Sequence, residues 1–309
     1  MKSPAAAIDL GTNTARLLIG HVSDGKLQQI CLKRVIVRLG GGFTRERGIS
    51  DEACDRAIAA LTDFAGEMRR YDVTTVRAVA TSAVRDAING PAFCKHVLET
   101  CGIRLEVIDG DTEGRLTLDG ILLALDQTAD RLVTFDIGGG STEYTLTRDG
   151  SIVYATSLPL GVVRLTEGKG SSAAMAEKID RELQLLKDEL VARGLFAAAT
   201  GALLVGTAGT VTTLAAISQQ LGTYDYRLVN NYLLRRDEVS RIYTLLLPLS
   251  PEERLTVPGL EKGREDLIIA GTLLTLKTMS LLGVDRLKVS DYGLLEGVLL
   301  SIASSSTTP

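Results

Sequence analysis

The residues Asp136-Ile137-Gly138-Gly139-Gly140-Ser141-Thr142-Glu143 combine chemically capable side chains at close spacing. Three consecutive glycines fill no core and carry an entropic cost, so they belong where the chain needs positive φ or where something must approach the backbone. Backbone N–H groups converging in such a turn bind anions, phosphate above all. Ser141 and Thr142 add hydroxyl donors. The carboxylates Asp136 and Glu143 would repel a bare phosphate, so they point to a divalent cation or to a water activated for attack. Two acids at one turn should also raise the pKa of one of them unless a metal ion or an arginine lies between.

A second copy lies near the N-terminus, where Ala5-Ala6-Ala7-Ile8 leads into Asp9-Leu10-Gly11-Thr12-Asn13-Thr14. Both copies read apolar run, Asp, aliphatic, Gly, then small and hydroxyl residues, and alternating residues follow each. That pattern predicts strand–turn–strand. It argues against the dinucleotide-binding fingerprint and the Walker loop, which both need a helix next. Asp9 and Asp136 lie 127 positions apart, about one domain's length. The expectation is a duplicated domain whose phosphate hairpins face each other across a cleft.

Three other stretches add candidates. Thr81-Ser82-Ala83-Val84-Arg85-Asp86 follows a predicted strand and suits a phosphate contact or a plain helix cap. Asp109-Gly110-Asp111-Thr112-Glu113-Gly114-Arg115 crowds ionisable groups at a strand-to-helix junction. Asp111 there suits a helix dipole, and Glu113 can project into the cleft. Gly206-Thr207-Ala208-Gly209-Thr210 opens a helix whose first amides could hold a phosphate or nucleotide. Arg45, Arg47, Lys169, Lys262 and Arg264 are further basic candidates along an extended anion.

The positioning elements follow from periodicity. Asp51 to Tyr71 carries one apolar stripe behind a Ser50 cap and predicts a helix. Helices are also predicted over 91–101, 115–125, 177–193, 237–247, 266–282 and 292–303. Strands are predicted over 73–80, 103–108, 131–135, 151–157, 202–205 and 287–290, and a polar tail over 304–309. The uncharged stretch 194–224 is long enough to span a membrane, but its glycines and threonines fit a strand, a Gly turn and a buried helix better.

Composition bounds the rest. The 309 residues are 45% hydrophobic and 23% charged, which suits two soluble globular domains. A net charge of −4 and only 4% aromatics exclude a broad nucleic-acid surface or a base-stacking platform. Cys31, Cys54, Cys94 and Cys101 form no C-x-x-C, and with two histidines they make no zinc set. They read as small buried hydrophobes in a reducing cytoplasm, and no signal peptide is evident.

Together with Ala80 to Ala87, Gly110 to Leu116 and Tyr292-Gly293-Leu294-Leu295-Glu296-Gly297, these motifs resemble the exopolyphosphatase / guanosine pentaphosphate phosphohydrolase family. That family lies in the actin-like ATPase superfamily, and the match covers essentially the whole chain. The resemblance implies an α/β fold of two actin-like (ribonuclease H-like) domains, with mixed sheets flanked by helices and a cleft between them. The expected division is 1–125 and 126–293, with a final helix over 294–309 returning to the first domain. The resemblance also implies the two-domain form, without a C-terminal helical extension.

By that resemblance Glu113 is the base for the attacking water, and Glu143 the second acid that places the water or the metal. Asp136 with Glu143 would hold Mg²⁺ or another divalent cation, and K⁺ is a further candidate. Gly138, Gly139, Gly140, Ser141 and Thr142 would cradle the terminal phosphate, with Asp9, Gly11, Thr12, Asn13 and Arg85 nearby, and Gly206, Gly209 and Thr210 as further contacts. Four departures stand out: Gly114 for a usual Ala, Asp111-Thr112 within a usual acidic run, Leu295 where many members have Arg, and Glu265 where Ala is common. The implied substrate is inorganic polyphosphate, with guanosine pentaphosphate or another nucleotide as the alternative. A homodimer is a candidate assembly, and neither nucleic acid nor membrane is an expected partner. A reading of another class is an actin-like ATP-binding kinase or nucleotide-gated module.

Overall fold

A computed structural model describes residues 3–23, 26–43, 46–127 and 129–305. The chain divides into two compact units, Met1–Leu123 with Tyr292–Pro309, and Ala124–Asp291.

The first unit opens with β1 (Ala5–Leu10), β2 (Thr14–Ser23) and β3 (Lys26–Ile36), which make an antiparallel meander. It continues through α1 (Asp51–Arg70), β4 (Thr75–Ala80), α2 (Ser82–Arg85), α3 (Gly90–Cys101), β5 (Leu105–Val107) and α4 (Gly110–Ala124). The mixed sheet runs β3-β2-β1-β4-β5, with β1 parallel to β4. Alternation along β1 sends Ala6, Ile8 and Leu10 to a core with Leu61 and Phe64 of α1, while Ala7 faces the other side. Ser50 caps α1 through Ala53 N, and acids in the first turn and arginines in the last complement its dipole, as the pattern predicts.

The second unit contains β6 (Arg131–Ile137), β7 (Thr142–Arg148), β8 (Ser151–Leu158), α5 (Val162–Gly168), α6 (Ser172–Ala192), α7 (Phe196–Ala199), β9 (Leu203–Thr207), α8 (Ala208–Ser218), α9 (Tyr226–Val229), β10 (Leu233–Arg235), α10 (Arg236–Leu246), α11 (Pro251–Arg254), α12 (Ile268–Leu281) and β11 (Arg286–Val289). Its sheet runs β10-β11-β9-β6-β7-β8, again a meander joined to parallel strands. The core stacks the Phe135 and Tyr144 rings, and Tyr144 shares a buried hydrogen bond with Thr278 of α12. The uncharged stretch 194–224 forms α7, β9 and α8 within this core. Among the described residues no helix is long and apolar enough to cross a membrane.

The last helix, α13 (Leu294–Ser305), belongs to the first unit. Leu294, Leu295, Val298 and Leu299 pack on Ala7, Leu18 and Val79, and Leu295 has no exposed surface. Its apolar character therefore serves the core. Residues 306–309 lie outside the described set. Two elements differ from the sequence expectation in informative ways. Helix α4 begins at Gly110 rather than Arg115, because Asp109 caps it. The seven-residue α5 carries too few turns to show a period.

Where α4 meets α13 the backbones nearly touch. A Cβ at Gly120 would overlap the Gly293 carbonyl, and one at Gly297 would overlap the Leu116 carbonyl. Helix propensity alone says Gly120→Ala gains about 1 kcal/mol. The overlap is with main chain that cannot swing aside, which costs about 1–3 kcal/mol or more. The substitution is therefore expected to destabilise, read as a lower denaturant midpoint in equilibrium unfolding.

Candidate functional site

The glycine turn of the second unit is built by the β6–β7 register, which sets Ile137 opposite Thr142 and Asp136 opposite Glu143. The turn closes with Gly138 N donating to Ser141 O at 3.0 Å. The carbonyl of Gly138 accepts from Val162 N at 3.0 Å, and that of Gly139 from Val163 N at 2.9 Å and Arg164 N at 3.3 Å. The start of α5 is thus seated on the turn, and a Cβ at Gly161 would collide with the Gly139 and Gly140 backbone. Each peptide is trans, so anchoring these carbonyls turns the N–H groups of Gly139 and Gly140 away from α5. Neither amide donates to a described residue. The expected positive φ is not used, since none of Gly138, Gly139 and Gly140 has it. At Gly138 a Cβ would instead come within 3.1 Å of the Ser141 carbonyl oxygen.

Asp136 and Glu143 are both buried and share a sheet face as a cross-strand pair. Glu143 Oε1 accepts from Ser141 Oγ at 2.6 Å and from Ser157 Oγ at 2.7 Å. Ser157 is the residue opposite Glu143 on β8. The Ser141 hydroxyl proton is therefore directed at the carboxylate, which leaves its amide for an anion. The Thr142 hydroxyl donates to Leu160 O at 2.7 Å, and the residue has no exposed surface, so it holds the turn from behind.

Hard oxygen donors of this kind fit Mg²⁺, which takes one or two carboxylates and completes its shell with water and phosphate. No group of three or more His, Cys, Asp or Glu gathers among the described residues, so any such ion would draw on that mixed shell. The four cysteines are free thiols, and burial pushes Cys31, Cys54 and Cys94 up.

The first unit repeats the frame with different chemistry. Gly11 N donates to Thr14 O at 3.0 Å, and the register sets Asp9 opposite Arg16. Arg16 donates to Asp9 Oδ2 through Nε at 2.9 Å and Nη2 at 2.7 Å. The Thr12 carbonyl accepts from Gly40 N, and the Asn13 carbonyl from Val37 N and Arg38 N. The Thr12 hydroxyl shares a buried 2.9 Å bond with Ser82. Asn13 is buried, and its Oδ1 accepts from no described residue. Sequence reasoning missed Arg16 and Ser157. The signal for both was register: each faces a named acid across a hairpin.

Glu113 sits in the first turn of α4 and is buried. Arg85 reaches it, with Nη1 at 3.3 Å from Glu113 Oε2 and 2.9 Å from Ile108 O. Asp109, not Asp111, caps the helix, its Oδ1 accepting from Thr112 N at 2.8 Å. That backbone bond holds the Asp109 carboxyl below its usual range.

The third loop sorts its candidates differently. A Cβ at Gly206 would press on the Phe135 ring, so this glycine serves packing. Ala208 takes a left-handed φ of 64° as α8 begins. The Arg264 guanidinium lies directly on Gly209, with Nε 3.5 Å from Glu261, and Thr210 packs against Gly271. Arg47 and Lys262 are exposed, Lys169 is half-buried, and Arg45 lies outside the described residues.

Comparison with known proteins accounts for this pairing of turns. The Ppx/GppA phosphatase family model matches residues 18–306. The chain belongs to this family. Exopolyphosphatase 2 of Mycobacterium tuberculosis is 32% identical over 96% of this chain and 98% of its own. The Ppx/GppA family member of Aquifex aeolicus superposes with a TM-score of 0.80 at 30% identity, covering 99% of each chain. An exopolyphosphatase from Cytophaga hutchinsonii gives 0.88 at 27% identity over 98% of each. The fold is accordingly the actin-like α/β fold, and the chain is a hydrolase of phosphoanhydride bonds.

Asp109 caps the turn of α4 that carries Glu113. Asp109→Ala is expected to cost about 1 kcal/mol, the usual loss for an N-cap. The folded pKa is depressed, so the stabilisation is present above the unfolded carboxylate pKa and is lost as pH falls through the folded value. Thermal melts of wild type and variant should differ at neutral pH and converge in acid.

Proposed function

We propose that this protein is an exopolyphosphatase, releasing orthophosphate from the end of an inorganic polyphosphate chain with a divalent cation. The observation that carries the reading is the pair of outward amides at Gly139 and Gly140 beside the Asp136–Glu143 pair. A terminal phosphate offers the oxygens those amides need. The identity to a mycobacterial exopolyphosphatase supports the same substrate.

In this reading the Gly139 and Gly140 amides, with that of Ser141, bind oxygens of the terminal phosphate. Glu113 accepts a proton from water as the water oxygen attacks phosphorus in line. The bond to the bridging oxygen breaks, orthophosphate leaves, and the shortened chain carries the negative charge away. Arg85 holds the Glu113 carboxylate in place. Arg16, fixed by Asp9, is a second cation for a phosphate oxygen. Asp136 and Glu143 would hold Mg²⁺, which neutralises phosphate charge when bound. Repeated shortening of one bound chain, a K⁺ requirement and a homodimer belong to the same proposal.

Guanosine pentaphosphate would use the same groups. A nucleotide at the start of α8, beside Arg264, is the reading that the third loop favours. Phosphate release measured on polyphosphate, guanosine pentaphosphate and ATP, with and without Mg²⁺, separates the three. We expect Mg²⁺-dependent release, fastest from polyphosphate; release from ATP alone would overturn the reading.

Glu113→Gln should lower kcat by roughly 10²–10⁴-fold, the range for a general base. Polyphosphate affinity should stay within a few-fold in a binding titration. Wild-type turnover by this variant would reject Glu113 as the base.

A further inference from the structure

We infer that Ser157 is a positioning residue that aims the Glu143 carboxylate. The inference rests on the proposed role of Glu143 in the hydrolysis. Two hydroxyls converge on one oxygen: Ser141 Oγ lies 2.6 Å and Ser157 Oγ 2.7 Å from Glu143 Oε1. A carboxylate oxygen has two lone pairs in its plane, and two O–H donors fill both. Oε1 is thereby closed to water, to an ion and to a proton. Whatever Glu143 does for the reaction it does through Oε2.

The two serines reach Glu143 from different places. Ser141 is part of the glycine turn and moves with it. Ser157 stands on β8, opposite Glu143 in the β7–β8 ladder, and ties the carboxylate to a strand outside the turn. A glutamate side chain left to itself samples several rotamers, and fixing it carries an entropic cost. Two charge-assisted bonds, one from the turn and one from β8, hold it in one, with Asp136 across the other side of β7. Ser157 is half-buried, so a methyl can be added or the hydroxyl removed without opening a core cavity.

The test compares Ser157→Ala, Ser157→Thr and Glu143→Gln in steady-state phosphate release from polyphosphate. Ser157→Ala should lower kcat roughly ten- to a hundred-fold, the size of one lost hydrogen bond to a charged group. The KM for polyphosphate should move less than about three-fold, because the amides that bind phosphate are untouched. Ser157→Thr keeps the hydroxyl and should return kcat to within about three-fold of wild type. A thermal melt confirms that each variant is folded, and a purely structural role would lower the melting temperature of Ser157→Ala without the kcat–KM split or the rescue. If Glu143→Gln is inactive while Ser157→Ala turns over like wild type, the positioning role is wrong and the role of Glu143 stands. If Glu143→Gln itself turns over like wild type, the underlying reading of Glu143 fails, and this inference with it.

Discussion

Both units are organised by one geometric constraint: an Asp at the end of a central strand faces the residue seven positions later across a hairpin. The register that pairs Asp9 with Arg16 is the register that pairs Asp136 with Glu143. In the first unit the partners carry opposite charge and close into an ion pair on one carboxylate oxygen. In the second they carry like charge in a buried position, an arrangement that a sheet tolerates poorly unless something else compensates it. The same backbone therefore produces an ion-paired carboxylate in one copy and two neighbouring buried carboxyl groups in the other. Ser141 and Ser157 both donate to Glu143 Oε1 from within the protein.

Carbonyl placement decides what the turn can bind. Helix α5 donates its first amides to Gly138 and Gly139, which fixes the sense of two peptide planes and sends their N–H groups the opposite way. The helix thus fixes which way the Gly139 and Gly140 amides face without accepting a hydrogen bond from them. Gly161 is necessary to this, because a side chain there would collide with the Gly139 and Gly140 backbone and hold α5 off the turn.

Much of this was legible in the sequence, for stated physical reasons. The duplicated Asp–Gly turns, the mixed α/β elements and the buried character of stretch 194–224 follow from periodicity and from the absence of a helix after each turn. The roles of single residues were less legible. Gly206 resembles a ligand-binding glycine in the sequence, yet it makes room for Phe135. Thr142 sits among phosphate-binding types, yet its hydroxyl faces Leu160 O. Asp109 caps α4 from two residues ahead of Asp111, which sits in the first turn as a helix-dipole acid should. Arg16 and Ser157 carried no motif at all, because a cross-strand neighbour appears only once register is known.

The two turns are held by main chain donating to main chain: Gly40, Val37 and Arg38 at one, and Val162, Val163 and Arg164 at the other. Gly-Thr-Asn-Thr and Gly-Gly-Gly-Ser consequently adopt one closure, Gly11 to Thr14 and Gly138 to Ser141, with hardly a shared side chain. A loop gripped through its peptide groups leaves its side chains as interchangeable fittings. Duplication of such a scaffold lets the side chains of each copy change while neither loses its shape.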